Sequence, residues 1–192
     1  MEKKTLHLST NPFPAGLTTA EHTALVALET RIMARQPKTL VVVDPEQVPQ
    51  MLTVSVDRLL REAVQPILVL AGTASFKPEV VRWWETATSP IDGRHFTDLY
   101  AAQYALTSPL APETQVCIST LREIQLSLHQ ARQAVGLVLV YGPLVASHVW
   151  QLVLDSFTVP CLGWSDRQDV GVRKLFGWHV VSTSRREPIR GA

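Results

Sequence analysis

Residues 136–164 read GLVLVYGPLVASHVWQLVLDSFTVPCLGW. The run Leu137 to Tyr141 is apolar throughout, the pattern of a strand buried on both faces. A turn follows at Gly142-Pro143, then an amphipathic helix, then a second short strand over Val159 to Gly163. A strand, a helix and a strand in 29 residues form a βαβ unit with parallel strands. The first strand ends in Tyr141-Gly142-Pro143-Leu144, without a carboxylate or any metal ligand.

The same alternation extends in both directions. Upstream, Thr39 to Val43 and Ile67 to Ala71 are continuous apolar runs. Between them Leu52, Val56, Leu59, Leu60 and Ala63 form one helical stripe from about Gln50 to Val64. Thr18 or Thr19 caps an earlier helix that carries Leu25, Leu28 and Ile32 on one face and stops before Pro37. A short helix with Trp83 and Trp84 follows the second strand. Residues 86–115 are rich in Pro, Ser, Thr and Asp, and read as a surface excursion with one helical turn near Tyr100 to Tyr104. Val116 to Ser119 is a third strand, and Leu121, Ile124, Leu128, Ala131 and Val135 mark one helix after it. Past the opening stretch, a helix over Val170 to Phe176 leads into a last strand, Trp178 to Val181. The fold class is therefore α/β, a doubly wound, mostly parallel sheet with helices on both faces.

The chain has 192 residues, of which 46% are apolar and 18% charged. That is one domain with a sizeable core. We place an irregular lead-in at 1–17, a single domain at 18–184 and a polar basic tail at 185–192. The net charge of +1 gives no general pull toward nucleic acid or acidic membranes. Basic residues gather only locally, at Arg173, Lys174, Arg185, Arg186 and Arg190. Cys117 and Cys161 sit in strand-like runs and read as small buried hydrophobes in a reducing compartment. Neither has a Cys or His partner at ligand spacing, and the six histidines show none either, so no metal is expected. The N-terminal residues lack a signal-peptide core and no apolar run spans a bilayer, which predicts a cytoplasmic protein.

Ligands of doubly wound sheets sit at the carboxyl ends of the strands. That narrows the functional question to five loops: Asp44 to Gln50, Gly72 to Lys77, Ser119 to Arg122, Tyr141 to Val145 and Gly163 to Asp169.

In this order the elements resemble the first motor domain of superfamily 2 helicases, a RecA-like fold of the P-loop NTPase class. The resemblance is nearest to the motor part of type I restriction enzyme subunits. The family runs an apolar strand into the phosphate loop A-T-G-T-G-K-T and a helix with an R-L-L-R-like segment. Here TLVVV runs into Asp44-Pro45-Glu46-Gln47-Val48-Pro49-Gln50, and the helix carries Arg58-Leu59-Leu60-Arg61. The family's L-F-L-A-D is similar to Leu68-Val69-Leu70-Ala71-Gly72, and its V-S-T-L/I-Q to Ile118-Ser119-Thr120-Leu121-Arg122. The acidic motif V-I-V-D-E-A-H falls on Val138-Leu139-Val140-Tyr141-Gly142-Pro143-Leu144. The pattern S-W-R-x-V-L-D-x-F-x-A-P-L-L-G-L-T-A-T-P resembles the stretch from His148 to Trp164. Leu175-Phe176-Gly177 and Arg186 to Gly191 resemble the family's L-F-G and R-E-A-I-x-D-G.

The framework residues match and the chemical ones do not. A phosphate loop needs glycines, amide donors, a lysine and a hydroxyl. Here Glu46 and Val48 take the glycine positions, Pro49 that of the lysine and Gln50 that of the hydroxyl residue. Tyr141 replaces the magnesium-holding Asp, and Gly142 the catalytic Glu. The resemblance therefore implies a pseudo-ATPase without cofactor or catalytic residue, a binding or structural subunit with a protein partner or a second copy of itself. Val48, Tyr141, Leu144 and Trp164, with Pro45, Pro49 and Pro143, are expected to form an apolar docking rim, Trp164 standing on a strand-end loop. A weak nucleic-acid-binding module is the alternative, with Ser119, Thr120 and Arg122 at the backbone-contact position. An active helicase or translocase ATPase is the third reading and lacks its chemical groups. Ser119-Thr120 also reads simply as a helix N-cap.

Overall fold

The computed structural model describes residues 12–106, 109–165, 169–177 and 179–183. Residues 1–11 of the lead-in, 166–168, Trp178 and the tail with Arg185, Arg186 and Arg190 lie outside them.

The chain runs through α1 (Thr19–Met33), β1 (Lys38–Val42), α2 (Val48–Glu62) and β2 (Ile67–Ala71). A 3-10 turn (Ala74–Phe76) leads into α3 (Lys77–Thr86), α4 (Phe96–Leu99), β3 (Ala102–Gln103) and β4 (Val116–Thr120). Then come α5 (Leu121–Leu126), α6 (Leu128–Ala134), β5 (Leu137–Tyr141), α7 (His148–Ser156), β6 (Cys161–Ser165), α8 (Val170–Leu175) and β7 (Val180–Ser182). The strands form one sheet in the order β3-β4-β2-β5-β6-β1-β7, and every pairing is parallel.

Strand periodicity sorts the core into two layers. Val41, Val69, Ile118, Leu139 and Trp164 point to one face, under α1 to α4. Leu40, Leu68, Leu70, Val138, Val140 and Cys161 point to the other, under α5 to α8. The strands are therefore apolar at both parities, because each side chain meets a helix whichever way it points.

Local signals set the helix starts. Thr18 and Glu21 form a capping box at α1, and Thr120 and Glu123 form one at α5. Ser147 and Asp169 accept amide hydrogen bonds at the starts of α7 and α8.

Four expectations need correction. The single helix after β4 is broken at Ser127 (φ −127°, ψ 21°) into α5 and α6. α2 begins at Val48, two residues earlier than the stripe alone suggested. β6 starts at Cys161, because its register is set by pairing with both Lys38 of β1 and Val138 of β5. Pro160 instead supplies a carbonyl to the Val138 amide (3.0 Å). The shift places Trp164 inside the strand, not on a loop.

The fourth concerns residues 86–115, which are more than a surface excursion. Phe96, Tyr100 and Leu106 are buried, and β3 adds an edge strand to the sheet. The segment is stapled to α2 through Asp57, which is fully buried. Its carboxylate accepts from the Tyr100 hydroxyl (2.5 Å), the Ser89 hydroxyl (2.7 Å) and Arg61 Nε (3.3 Å). Arg61 also donates to Asp92 (2.8 Å). A buried carboxylate is tolerated only when its lone pairs are satisfied in this way.

Tyr100→Phe leaves one Asp57 lone pair unmet and should cost about 1–3 kcal/mol in urea denaturation. Tyr104→Phe, on a half-exposed ring, should leave the midpoint unchanged. Stability should also fall in alkali. Burial pushes the Cys117 and Cys161 thiols up to about 12, and burial and then Asp57 raise Tyr100. Raised folded-state values give a contribution that is complete below the unfolded values, about 8.5 for Cys and about 10 for Tyr. It is lost as pH climbs above them, so the urea midpoint should be flat from neutrality to about pH 8 and decline beyond it.

Candidate functional site at the strand ends

β1 ends at Val42, and the amide of Val43 just beyond it reaches the Ser165 carbonyl (3.4 Å). The chain then turns through Asp44 to Gln47, closed by the Gln47 amide on the Asp44 carbonyl (2.8 Å). This leaves a short turn where a phosphate loop would wrap its ligand. Asp44, Pro45 and Glu46 are exposed on it, and Pro49 and Gln50 are exposed on the first turn of α2. Pro45 and Pro49 have no amide to offer, and Glu46 brings a negative charge. Gln47 Oε1 accepts from the Thr183 hydroxyl (3.3 Å), tying the turn to the chain beyond β7.

At the end of β5, Tyr141 is half-buried in an aromatic group. Its ring meets Phe76 edge-on at 5.5 Å and Trp83 at 5.8 Å. Trp83 Nε1 donates to Thr53 Oγ1 of α2 (3.0 Å), so the group bridges α2, α3 and β5. Burial, with Glu79 nearby, raises the Tyr141 hydroxyl above its ordinary range. The backbone here is closely fitted. The Gly72 amide donates to the Tyr141 carbonyl (2.9 Å), and a Cβ on Gly72 would stand 2.3 Å from the Pro143 carbonyl oxygen. Gly142 has φ +104°, and a Cβ there would lie 2.2 Å from the Phe76 ring.

Two of the expected docking residues, Trp164 and Val48, turn inward. Trp164 is 1% exposed and packs in the same core layer as Val48, which is also buried. Neither presents surface to a partner, because the strand register points Trp164 under α2 and Val48 is the first buried residue of that helix. Tyr141 is half-buried against the first layer and Leu144 against the second. Pro143 remains exposed.

At the end of β4, Ser119 and Thr120 are buried and bonded locally. The Glu123 carboxylate accepts from the Ser119 hydroxyl (2.9 Å), the Thr120 amide (2.9 Å) and Lys77 Nζ (2.8 and 2.9 Å). Burial works against its charge, but Lys77, Thr120 and Ser119 outweigh it and hold Glu123 below the usual carboxylate range. Ser119 and Thr120 are thus spent on the cap and are not free for a nucleic-acid backbone. Only Arg122 of that trio faces solvent.

Trp83 was absent from the sequence-based site, and Phe76 and Lys77 lay in the Gly72 to Lys77 loop without being singled out. No local motif marks them, and only the topology brings α3 over the ends of β2 and β5. Among the described residues, no three His, Cys, Asp or Glu side chains gather closely enough to hold a metal ion, and no helix is long and apolar enough to cross a membrane.

No protein-family model matches the sequence, and no curated protein does. Among solved structures, the chain is similar to the UvsW helicase of bacteriophage T4, with a TM-score of 0.60 over 91% of its length. The fold is helicase-like. Sequence identity in that match is 9%, so the likeness is one of backbone path, and the chain spans 64% of the length of the helicase chain. The RecA-like sheet agrees with the architecture inferred from the motif order.

Gly142→Ala should destabilise by about 1–3 kcal/mol, because the new Cβ meets both a left-handed backbone and the Phe76 ring. Gly93 also has positive φ (+73°) but nothing within 4 Å of its Cβ direction. Gly93→Ala should therefore cost less, and the difference in urea midpoints reads the contact with Phe76.

Proposed function

We propose that this chain is a pseudo-ATPase, a first motor domain of helicase type that works by contact and not by nucleotide chemistry. The reading is supported by the position in register with the family's magnesium-holding Asp. There Tyr141 packs its ring on Phe76 and Trp83, with Gly142 and Pro143 after it. The short turn into α2 adds to this, since Pro49 and Gln50 stand where a lysine and a hydroxyl would hold phosphate and metal. A binding subunit needs neither group. The alternative, a nucleic-acid module, is weakened by the burial of Ser119 and Thr120 and the net charge of +1. Any such binding should be weak and salt-dependent, resting on Arg122 and the basic residues near the C-terminus.

Thermal melts with and without Mg-ATP test the reading directly. A ligand at a hundredfold excess over Kd stabilises the folded state by about 2.7 kcal/mol. In a domain of this size that is a rise of about 5–10 °C. The expected shift is zero, and a reproducible rise of several degrees would overturn the proposal. The double variant Pro49→Lys with Tyr141→Asp should not gain a shift either, because the remaining loop still lacks its glycines and metal ligand.

A further inference from the structure

Pro12-Phe13-Pro14-Ala15-Gly16-Leu17 falls in the segment expected to be an irregular lead-in, yet it is built as a strap. Two prolines flank Phe13 and fix the backbone, and a residue before proline is held extended. Gly16, at φ +102°, turns the chain toward the Thr18 cap of α1, and nothing lies within 4 Å of its Cβ direction. Pro12, Ala15 and Gly16 are exposed, while Phe13 and Leu17 are partly buried against the first core layer. Those two side chains are the strap's apolar anchors.

Phe13 lies on a charge. The Arg58 guanidinium carbon is 3.9 Å from the ring centroid, and the His22 ring of α1 meets Phe13 edge-on at 4.7 Å. Arg58 is 3% exposed, and its Nε and Nη2 donate to the two Glu29 carboxylate oxygens (2.6 and 3.2 Å). A carboxylate of α1 thus holds the guanidinium in its plane, and an aromatic ring lies over its face. A guanidinium taken out of water gains from both partners, since desolvation can exceed what one ion pair returns. One ring joins the lead-in, α1 and α2.

We propose that residues 12–17 are a latch: the Phe13 ring lifts off Arg58 and His22 while the sheet stays folded, and its closing secures the start of α1 to α2. The strap belongs to no strand ladder, and its stretch between the two anchors is open to solvent. Segments with few buried apolar contacts occupy the low end of the stability range within a fold. The latch does not depend on the pseudo-ATPase reading, and melts with Mg-ATP do not bear on it.

Native-state hydrogen exchange of the full chain tests it. The Thr18 amide donates to Glu21 Oε2 (2.7 Å), the Glu21 amide to Thr18 Oγ1 (3.2 Å) and the His22 amide to the Thr18 carbonyl (3.0 Å), so these three report the strap's hold on the first turn of α1. Their exchange should be insensitive to low urea. Amides of β2 and β5 should speed up with urea, because they exchange through unfolding of the sheet. Phe13→Leu keeps an apolar side chain but removes the π face, and should speed exchange at the three amides about fivefold to thirtyfold. Ala15→Ser, on the exposed part of the strap, should change nothing. The latch is overturned if the three amides share the urea slope of β2 and β5, since the strap then opens only with the whole fold. It is overturned equally if Phe13→Leu leaves their rates unchanged, because the helix start then frays without regard to the ring. The urea dependence is read on the unaltered chain, so it decides even where Phe13→Leu does not fold.

Discussion

The sheet is buried on both faces, and this constraint governs the rest of the molecule. With all strands parallel, every connection must cross back over the sheet, and the helices that do so become its cover. Here α1 to α4 cover one face and α5 to α8 the other, so the central strands have no polar side. Polar chemistry is thereby expelled to the strand ends and to the helix surfaces. Three charged networks that reach inward, Asp57 with Arg61, Arg58 with Glu29 and Glu123 with Lys77, tie helices or loops together over the sheet.

The strand ends follow from the same constraint. A carboxylate at the end of β5 would stand beside Phe76 and Trp83, where desolvation penalises charge unless a metal or cation offsets it. Tyr141 avoids that penalty and adds two edge-to-face contacts, each worth about 0.5–1.5 kcal/mol beyond area burial. Gly163 makes a parallel case on the other layer, where the Phe176 ring would lie 2.4 Å from a Cβ and so occupies the space a side chain would need. Gly142 and Gly163 each leave room for an aromatic ring from a neighbouring element.

Much of this was readable from residue order, for a physical reason. β2 and β5 match the apolar runs residue for residue, because a strand buried on both faces is apolar throughout and stops where the chain reaches solvent. β6 was misplaced by two residues since Val159 and Pro160 extend the apolar run without joining the ladder. That slip put Trp164 on a loop and made it an apparent docking residue. Residues 86–115 were underestimated because Phe96, Tyr100 and Leu106 follow no period. Each fills a gap shaped by other elements, and a gap leaves no trace in local sequence. The motor-motif order singled out Pro49, Gln50, Tyr141 and Gly142. It did not show what packs on Tyr141, because Phe76 and Trp83 come from the 3-10 turn and α3, more than fifty residues upstream of Tyr141.

Burial also separates two kinds of apolar residue that look alike in sequence. Val48, Trp164 and Leu152 are each large and apolar. The first two lie under α1 to α4, where α2 closes over the strand ends and leaves no path to solvent. Leu152 lies on the outside of α7, and no described element covers it. Val48 and Trp164 stabilise the fold and cannot also recruit a partner, since the same surface cannot be buried twice. Whatever contact the chain makes must therefore use groups the fold leaves uncovered, and the most exposed apolar ones among the described residues, Leu126, Val145 and Val170, stand on or beside the helices of the second layer.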